Sequence, residues 1–127
     1  MRKIVLDTDL IIDFLRTGVG RLEEIIDLAE KGEIEVYVSS VTVLELWSGK
    51  SSINQEKLIS DILVYTRTVF LDDRLGRFIG ELRRDNNITL LLADLIIGAT
   101  AVWIKGGLVT RNKKHFEQIP GIKFWKG

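Results

Sequence analysis

Cysteine is absent from the 127 residues, and histidine, methionine and proline occur once each. Without cysteine there is no disulfide framework, no thiolate zinc or iron–sulfur centre and no cysteine nucleophile. A lone histidine, His115, removes any multi-histidine metal site within one chain. A single proline, with 46% hydrophobic and 28% charged residues, excludes a disordered or collagen-like chain. No apolar stretch is long enough for a membrane span. The opening Met-Arg-Lys-Ile-Val-Leu-Asp meets an acid at its seventh residue, so no signal peptide is expected. A soluble, cytoplasmic chain forming one domain over residues 1–127 is the expectation, since this length leaves room for one core.

Net charge is also missing, but its two signs are separated. Residues 1–73 carry 8 basic and 14 acidic side chains, and residues 74–127 carry 10 basic and 4 acidic. A basic half can attract a polyanion and an acidic half can hold cations; solvated helix faces would give the same split.

Short apolar runs alternate with amphipathic segments. Ile4-Val5-Leu6, Ile34 to Val38, Thr68 to Leu71, Leu108 to Thr110 and Ile122 to Trp125 read as strands. Helical spacing predicts helices around Leu10 to Leu15, Val19 to Lys31 and Val43 to Trp47, then over Gln55 to Arg67, Asp72 to Asn87, Ala93 to Lys105 and Asn112 to Ile119. The pattern predicts an α/β domain, a parallel sheet of about five short strands with helices on both faces. Such sheets bind ligands outside the carboxyl ends of their strands, so residues just after a strand carry the interest.

Asp7 ends the first strand, Glu45 follows the second, Asp94 opens the sixth helix, and Thr110-Arg111-Asn112 follows the fourth strand. Glu45 and Asp94 sit in strongly apolar stretches with few basic neighbours. A carboxylate there is costly to bury unless a cation or a hydrogen-bond donor meets it. A hard divalent ion would serve, because Mg2+ and Mn2+ prefer oxygen ligands and keep several waters. Each acid also has an ordinary explanation. Asp7 and Asp94 suit helix N-termini, and Thr42-Val43-Leu44-Glu45 matches a capping box. Asp9 and Asp13 read as surface acids, Asp13 within reach of Arg16.

Asp7-Thr8 after the first strand, Glu45-Leu46 with Gly49 nearby, Asp94 with Ile96-Ile97-Gly98-Ala99-Thr100-Ala101, and Leu108-Val109-Thr110-Arg111-Asn112-Lys113-Lys114-His115-Phe116 occur in that order. Together they resemble the PIN domain, from Ile4 to about Phe124. The length and spacing are similar to those of VapC-type toxins of toxin–antitoxin pairs. The resemblance implies a Rossmann-like parallel sheet and metal-dependent endoribonuclease activity. Asp7, Glu45 and Asp94 then match three acidic metal-binding positions for Mg2+ or Mn2+. The fourth position falls on Asn112 or His115, neither of them a carboxylate. Asn112 could still offer a carbonyl oxygen or bond a metal-bound water, and Thr8 and Thr110 could orient the carboxylates. The resemblance further implies a homodimer and a small VapB-type antitoxin that covers the site.

Other assignments are less specific. Arg83, Arg84, Arg111, Lys113 and Lys114 are candidates for holding RNA phosphates, with plain helix-face solvation equally available. His115 is expected to play a surface or cap role on its short helix rather than that of a general base. Trp47, Trp103 and Trp125 could stack on bases, but Trp47 and Trp103 are expected in the core or a subunit interface. A catalytically inactive PIN fold that only binds RNA or protein is the rival reading. A nucleotide-binding α/β domain is disfavoured, because no glycine-rich phosphate loop follows any strand.

Overall fold

Ile4, Val5 and Leu6 point alternately to opposite faces of a strand, and each face is covered by helices. In a computed structural model describing residues 2–126, the elements run β1 (Arg2–Leu6), α1 (Thr8–Thr17), α2 (Leu22–Glu30), β2 (Ile34–Ser39) and α3 (Ser40–Ser48), followed by a 3-10 segment (Lys50–Asn54). Then come α4 (Glu56–Leu63), β3 (Thr66–Val69), α5 (Asp73–Asp85), α6 (Leu92–Trp103), β4 (Gly107–Val109) and α7 (Lys113–Phe116). The four strands form one parallel sheet in the order β3-β2-β1-β4.

Alternation along the strands sorts the core into two layers. Ile4 and Leu6 join Val36, Val38 and Val109 beneath α1, α2 and α4, where Ile11, Leu22, Ile25, Ile59 and Ile62 are buried. Val5 and Leu108 face the other way, onto Leu75 and Ile79 of α5 and Leu95, Ile97 and Ala99 of α6. The result is the expected α/β sandwich of helices, sheet and helices.

Three local expectations are corrected. The fourth helix stops at Leu63, not Arg67, because the Thr66 hydroxyl donates to the Leu63 carbonyl and turns the chain into β3. The third strand therefore begins at Thr66 and ends at Val69. The expected fifth strand shrinks to a single parallel bridge between Leu108 and Phe124, in which Leu108 donates to Lys123 and Trp125 donates to Leu108. That short segment still seats Trp125 in the core, beneath the Arg21 guanidinium at 4.8 Å from the ring centre.

The link between α5 and α6 is tightly held. The Arg83 guanidinium donates to the Ile88 carbonyl at 3.1 Å and the Leu90 carbonyl at 2.8 Å. Opposite, the Gln118 side chain accepts the Thr89 N–H at 2.7 Å. Arg83, a candidate for RNA phosphates in the sequence, is therefore occupied as a brace within the fold.

α6 packs closely on the segment that follows β4. A Cβ on Gly98 would sit 3.0 Å from Phe116 Cδ1 and closer still to Ile119. Gly98→Ala is therefore expected to cost about 1–3 kcal/mol by overpacking. Gly80→Ala, on the open face of α5 with nothing within 4 Å, is expected to add about 0.5–1 kcal/mol. Urea denaturation of both variants checks this. Equal stability of Gly98→Ala and the parent would contradict the close packing of α6.

Candidate active site

From β1 the chain passes outward to β2 and β3, then returns across the sheet to β4 on the far side of β1. The segments leaving β1 and β4 consequently diverge, and a crevice opens between them at this switch in strand order. Leu6 is paired with Val109, and the Asp7 N–H donates to the Val109 carbonyl at 3.0 Å. This register sets Asp7 beside Thr110. The two residues line a cleft of about 250 Å³ together with Asp9, Arg111 and Asn112.

Asp7 stands at the N-cap position of α1, but its side chain makes no cap hydrogen bond. The carboxylate is instead buried, at 5% exposure, and Oδ2 accepts the Thr110 hydroxyl at 2.8 Å. The same hydroxyl oxygen accepts the Asn112 N–H at 3.0 Å, which fixes its orientation. Burial pushes the Asp7 pKa above its ordinary 3.8; the Thr110 bond pulls it down, and the charges of Asp9 and Asp94 raise it further.

Glu45 does not close a capping box. α3 begins two residues before Thr42, and its cap is Ser39, whose hydroxyl accepts the Val41 N–H at 3.1 Å. Thr42 is fully buried and lies 2.8 Å from the Thr8 hydroxyl, which in turn donates to Glu45 Oε1 at 2.8 Å. Thr8 has one proton and gives it to Glu45, so Thr42 must be the donor to Thr8. Glu45 is thereby tied to the residue next to Asp7. Its side chain borders a separate, largely apolar cleft of about 580 Å³ that includes Ile12, Leu15, Leu46 and Ile59.

Asp94 lies in the first turn of α6, which has no side-chain cap. Its Oδ2 is 3.0 Å from Nε2 of His115. The sequence reading missed this contact, having placed His115 at the surface or in a cap. The available signal was the position of His115 one turn into the helix that follows β4, at the same end of the sheet as Asp7.

The remaining candidates separate by position. Arg111 lines the Asp7 cleft and lies 3.4 Å from Asp13, which also binds Arg16 at 2.9 Å. Lys113 and Lys114 are exposed on α7, and Asn112 is exposed just before it. Arg84 is paired with Asp85 at the end of α5. Trp47 and Trp103 are not core residues, being 37% and 36% exposed, whereas Trp125 is buried.

Among the described residues, no three carboxylate or imidazole groups converge closely enough to ligate one ion as the side chains stand. The donor chemistry nevertheless suits a hard divalent cation. Asp7 is buried, pressed by two further acids, and has only a neutral hydroxyl as side-chain partner. Because Mg2+ and Mn2+ retain several waters, two or three carboxylates brought in by side-chain rotation suffice.

Fold and site define an α/β domain with an acidic crevice where the strand order reverses. Residues 4–122 match the family model of the PIN domain, and the chain belongs to the PIN-domain family. Within that family it is similar to Ribonuclease VapC1 of Methanocaldococcus jannaschii, at 30% identity over 97% of this chain and 87% of that protein. Among solved structures, VapBC2 from Rickettsia felis bound to a promoter DNA fragment matches with a TM-score of 0.81 and 20% identity, over 97% of each chain. A toxin–antitoxin complex from Klebsiella pneumoniae matches with a TM-score of 0.72 and 27% identity, over 94% of each chain.

The raised Asp7 pKa makes a sign-definite prediction. Between pH 3.8 and the higher folded-state value, the folded protein holds more protons than the unfolded one, so stability falls as pH rises through that window. Asp7→Asn removes the charge and keeps an acceptor for Thr110. Without added metal it is expected to melt higher than the parent at pH 7, with the difference vanishing below the ordinary carboxylate range. Calorimetry at the two pH values measures it; a lower melting temperature at pH 7 would contradict the assignment.

Proposed function

We propose that this PIN domain is a divalent-metal-dependent endoribonuclease that cuts single-stranded or looped RNA as the toxin of a VapBC-type pair. The observation that carries the reading is the set of Asp7, Glu45 and Asp94 at one end of the sheet, each held by a side chain from another element. The partners are Thr110, Thr8 and His115 respectively. Supporting it are the similarity to a protein named a ribonuclease and to a chain solved within a toxin–antitoxin complex.

In this reading Asp7, Asp94 and Glu45 hold Mg2+ or Mn2+, with Asn112 reaching it through water. A cation bound there supplies an acidified water and polarises a phosphoryl oxygen. Thr110 orients Asp7 and Thr8 orients Glu45, and rotation of the side chains would complete the set of oxygens around the ion. Arg111, Lys113 and Lys114 flank the cleft and take the phosphates on either side of the scissile bond. Splayed, unstacked RNA fits best, because its backbone can bend into a crevice that a stiff duplex cannot enter. A cytoplasmic location is part of this reading, because RNA is the proposed substrate.

An antitoxin seated in the apolar cleft beside Glu45 would cover that carboxylate. A homodimer finds support on another face. Leu71 and Leu92, both exposed, border a further apolar cleft with Ile79, Leu95 and Ile96, and their chain neighbours Phe70 and Leu91 are 73% and 76% exposed. The rival reading, an inactive PIN fold that only binds RNA or protein, draws on the His115–Asp94 contact, which occupies one of the three acids.

Two measurements test the proposal. Glu45→Gln keeps the hydrogen bond from Thr8 while removing the charge. It is expected to lower RNA cleavage at least ~100-fold, with an unchanged metal-free melting temperature. Unchanged cleavage removes Glu45 from the machinery, and absent cleavage by the parent protein with Mg2+ or Mn2+ favours the rival. For binding, three phosphate contacts on single-stranded RNA predict a log affinity against log salt slope of about −2. A flat dependence would contradict the roles given to Arg111, Lys113 and Lys114.

A further inference from the structure

The positive charge of residues 74–127 gathers at more than one place, and the crevice is only one of them. Arg111, Lys113 and Lys114 follow β4 at the crevice end. Lys105 and Lys123 instead meet Arg2 and Lys3 around a cavity of about 420 Å³ where β1 and β4 begin, with Ile104 and Phe124 as an apolar wall. Five strand steps separate Arg2 from Asp7, so the cavity lies about 16 Å from the crevice, at the opposite end of the sheet. We propose that this cavity is a nucleotide-binding site, in which Arg2, Lys3, Lys105 and Lys123 hold phosphate oxygens and Ile104 and Phe124 meet the base. The site is separate from the crevice and needs no metal there.

No acid lines the cavity. Among the described residues none of its four cations forms an ion pair. Glu35, opposite Lys3 in the β1–β2 register, is already engaged by Arg67 at 2.9 Å and by the Tyr37 hydroxyl at 3.1 Å. Like charges around one space repel, and a bound anion relieves that repulsion. The volume falls within the ~300–1,000 Å³ typical of small-molecule sites.

The end of α6 adds an independent sign. The Lys105 N–H donates to the Val102 carbonyl at 3.1 Å and the Gly106 N–H to the Ala101 carbonyl at 2.9 Å, closing the helix in a left-handed turn. Lys105 has φ 59° and is the one residue other than glycine with positive φ among the described residues. Glycine usually takes this place, because it adopts the conformation without strain. The neighbouring Gly106 cannot be spared: a Cβ there would come within 2.8 Å of the Lys3 carbonyl. Lys105 therefore carries backbone strain while bringing an ammonium group to the cavity, and strain of this kind collects at ligand sites. Attraction to the carbonyl end of α6 is the other use of a lysine here, and the two uses differ in their response to a nucleotide.

The test titrates adenosine, adenosine diphosphate and a single-stranded RNA hexanucleotide into the full chain in excess chelator, following backbone amide shifts by nuclear magnetic resonance. Chelator keeps a cation from drawing phosphate into the crevice and prevents cleavage. Adenosine diphosphate is expected to shift the amides of Gly106 and Gly107, to leave that of Thr110 in place, and to bind more tightly than adenosine. The same shifts from the hexanucleotide alone would support the site and identify its occupant as an RNA phosphodiester. Lys105→Gly is expected to weaken binding about fivefold while raising the melting temperature, because the left-handed strain is gone. Lys123→Gln, at an exposed position, is expected to weaken binding with no change in melting temperature, and it decides the matter should Lys105→Gly fold poorly. Unmoved Gly106 and Gly107 amides with both phosphate ligands, or adenosine binding as tightly as either, would overturn the site. So would parent-like affinity in Lys105→Gly, the result expected of a lysine kept for the helix end.

Discussion

One backbone hydrogen bond, from the Asp7 N–H to the Val109 carbonyl, fixes the geometry on which the crevice depends. It extends the β1–β4 register by one step beyond Leu6 and Val109, and so delivers a carboxylate and a hydroxyl side by side at the strand ends. A slip of one residue would turn both side chains to the opposite face. The register is held by side chains that cannot tolerate such a slip. Leu6 and Val109 lie in the core under α1, and Leu108 lies in the core under α6. The hydrophobic sorting of the sheet is therefore also what positions the chemistry.

The three acids share a design. None is neutralised by lysine or arginine among the described residues, and each receives a hydrogen bond or imidazole contact from an element other than its own. Asp7 follows β1 and is met from beyond β4; Glu45 on α3 is met from α1; Asp94 on α6 is met from α7. At Asp7 and Glu45 the hydroxyl ties order the oxygens without cancelling their charge, which keeps this end of the sheet attractive to a cation. The cost is visible at Asp7, whose burial and acidic neighbours disfavour its ionised form. A fold that carries this cost at a strand end, at a switch in strand order, is spending stability where ligands bind.

Much of this was legible in the chain. The alternation of short apolar runs with amphipathic segments gave the layers; Asp7 stood out at the end of a strand, and Glu45 and Asp94 because their neighbours are apolar. What could not be read depends on contacts between distant residues. The capping-box reading of Glu45 failed because Ser39 starts α3 earlier, leaving Thr42 to pair with Thr8, 34 residues away. The His115–Asp94 contact spans 21 residues and requires α6 and α7 to pack as they do. Arg83 looked like a solvated cation because nothing local announces that its guanidinium will find two carbonyls. The end of α4 was misjudged since helical periodicity continues past Leu63, while the hydroxyl of Thr66 redirects the backbone.

Arg83 has a consequence for the placement of α6 along its own axis. By gripping the Ile88 and Leu90 carbonyls from α5, it acts as a bracket that sets the height at which the next helix starts. Gln118 grips the intervening Thr89 from the opposite side, so the loop is clamped between two elements of unrelated sequence position. A helix rises ~1.5 Å per residue, so a start displaced by a single residue would carry Asp94 by that distance relative to Thr110 and His115. An arginine with no place in the crevice thus sets how far one of its carboxylates projects toward the others.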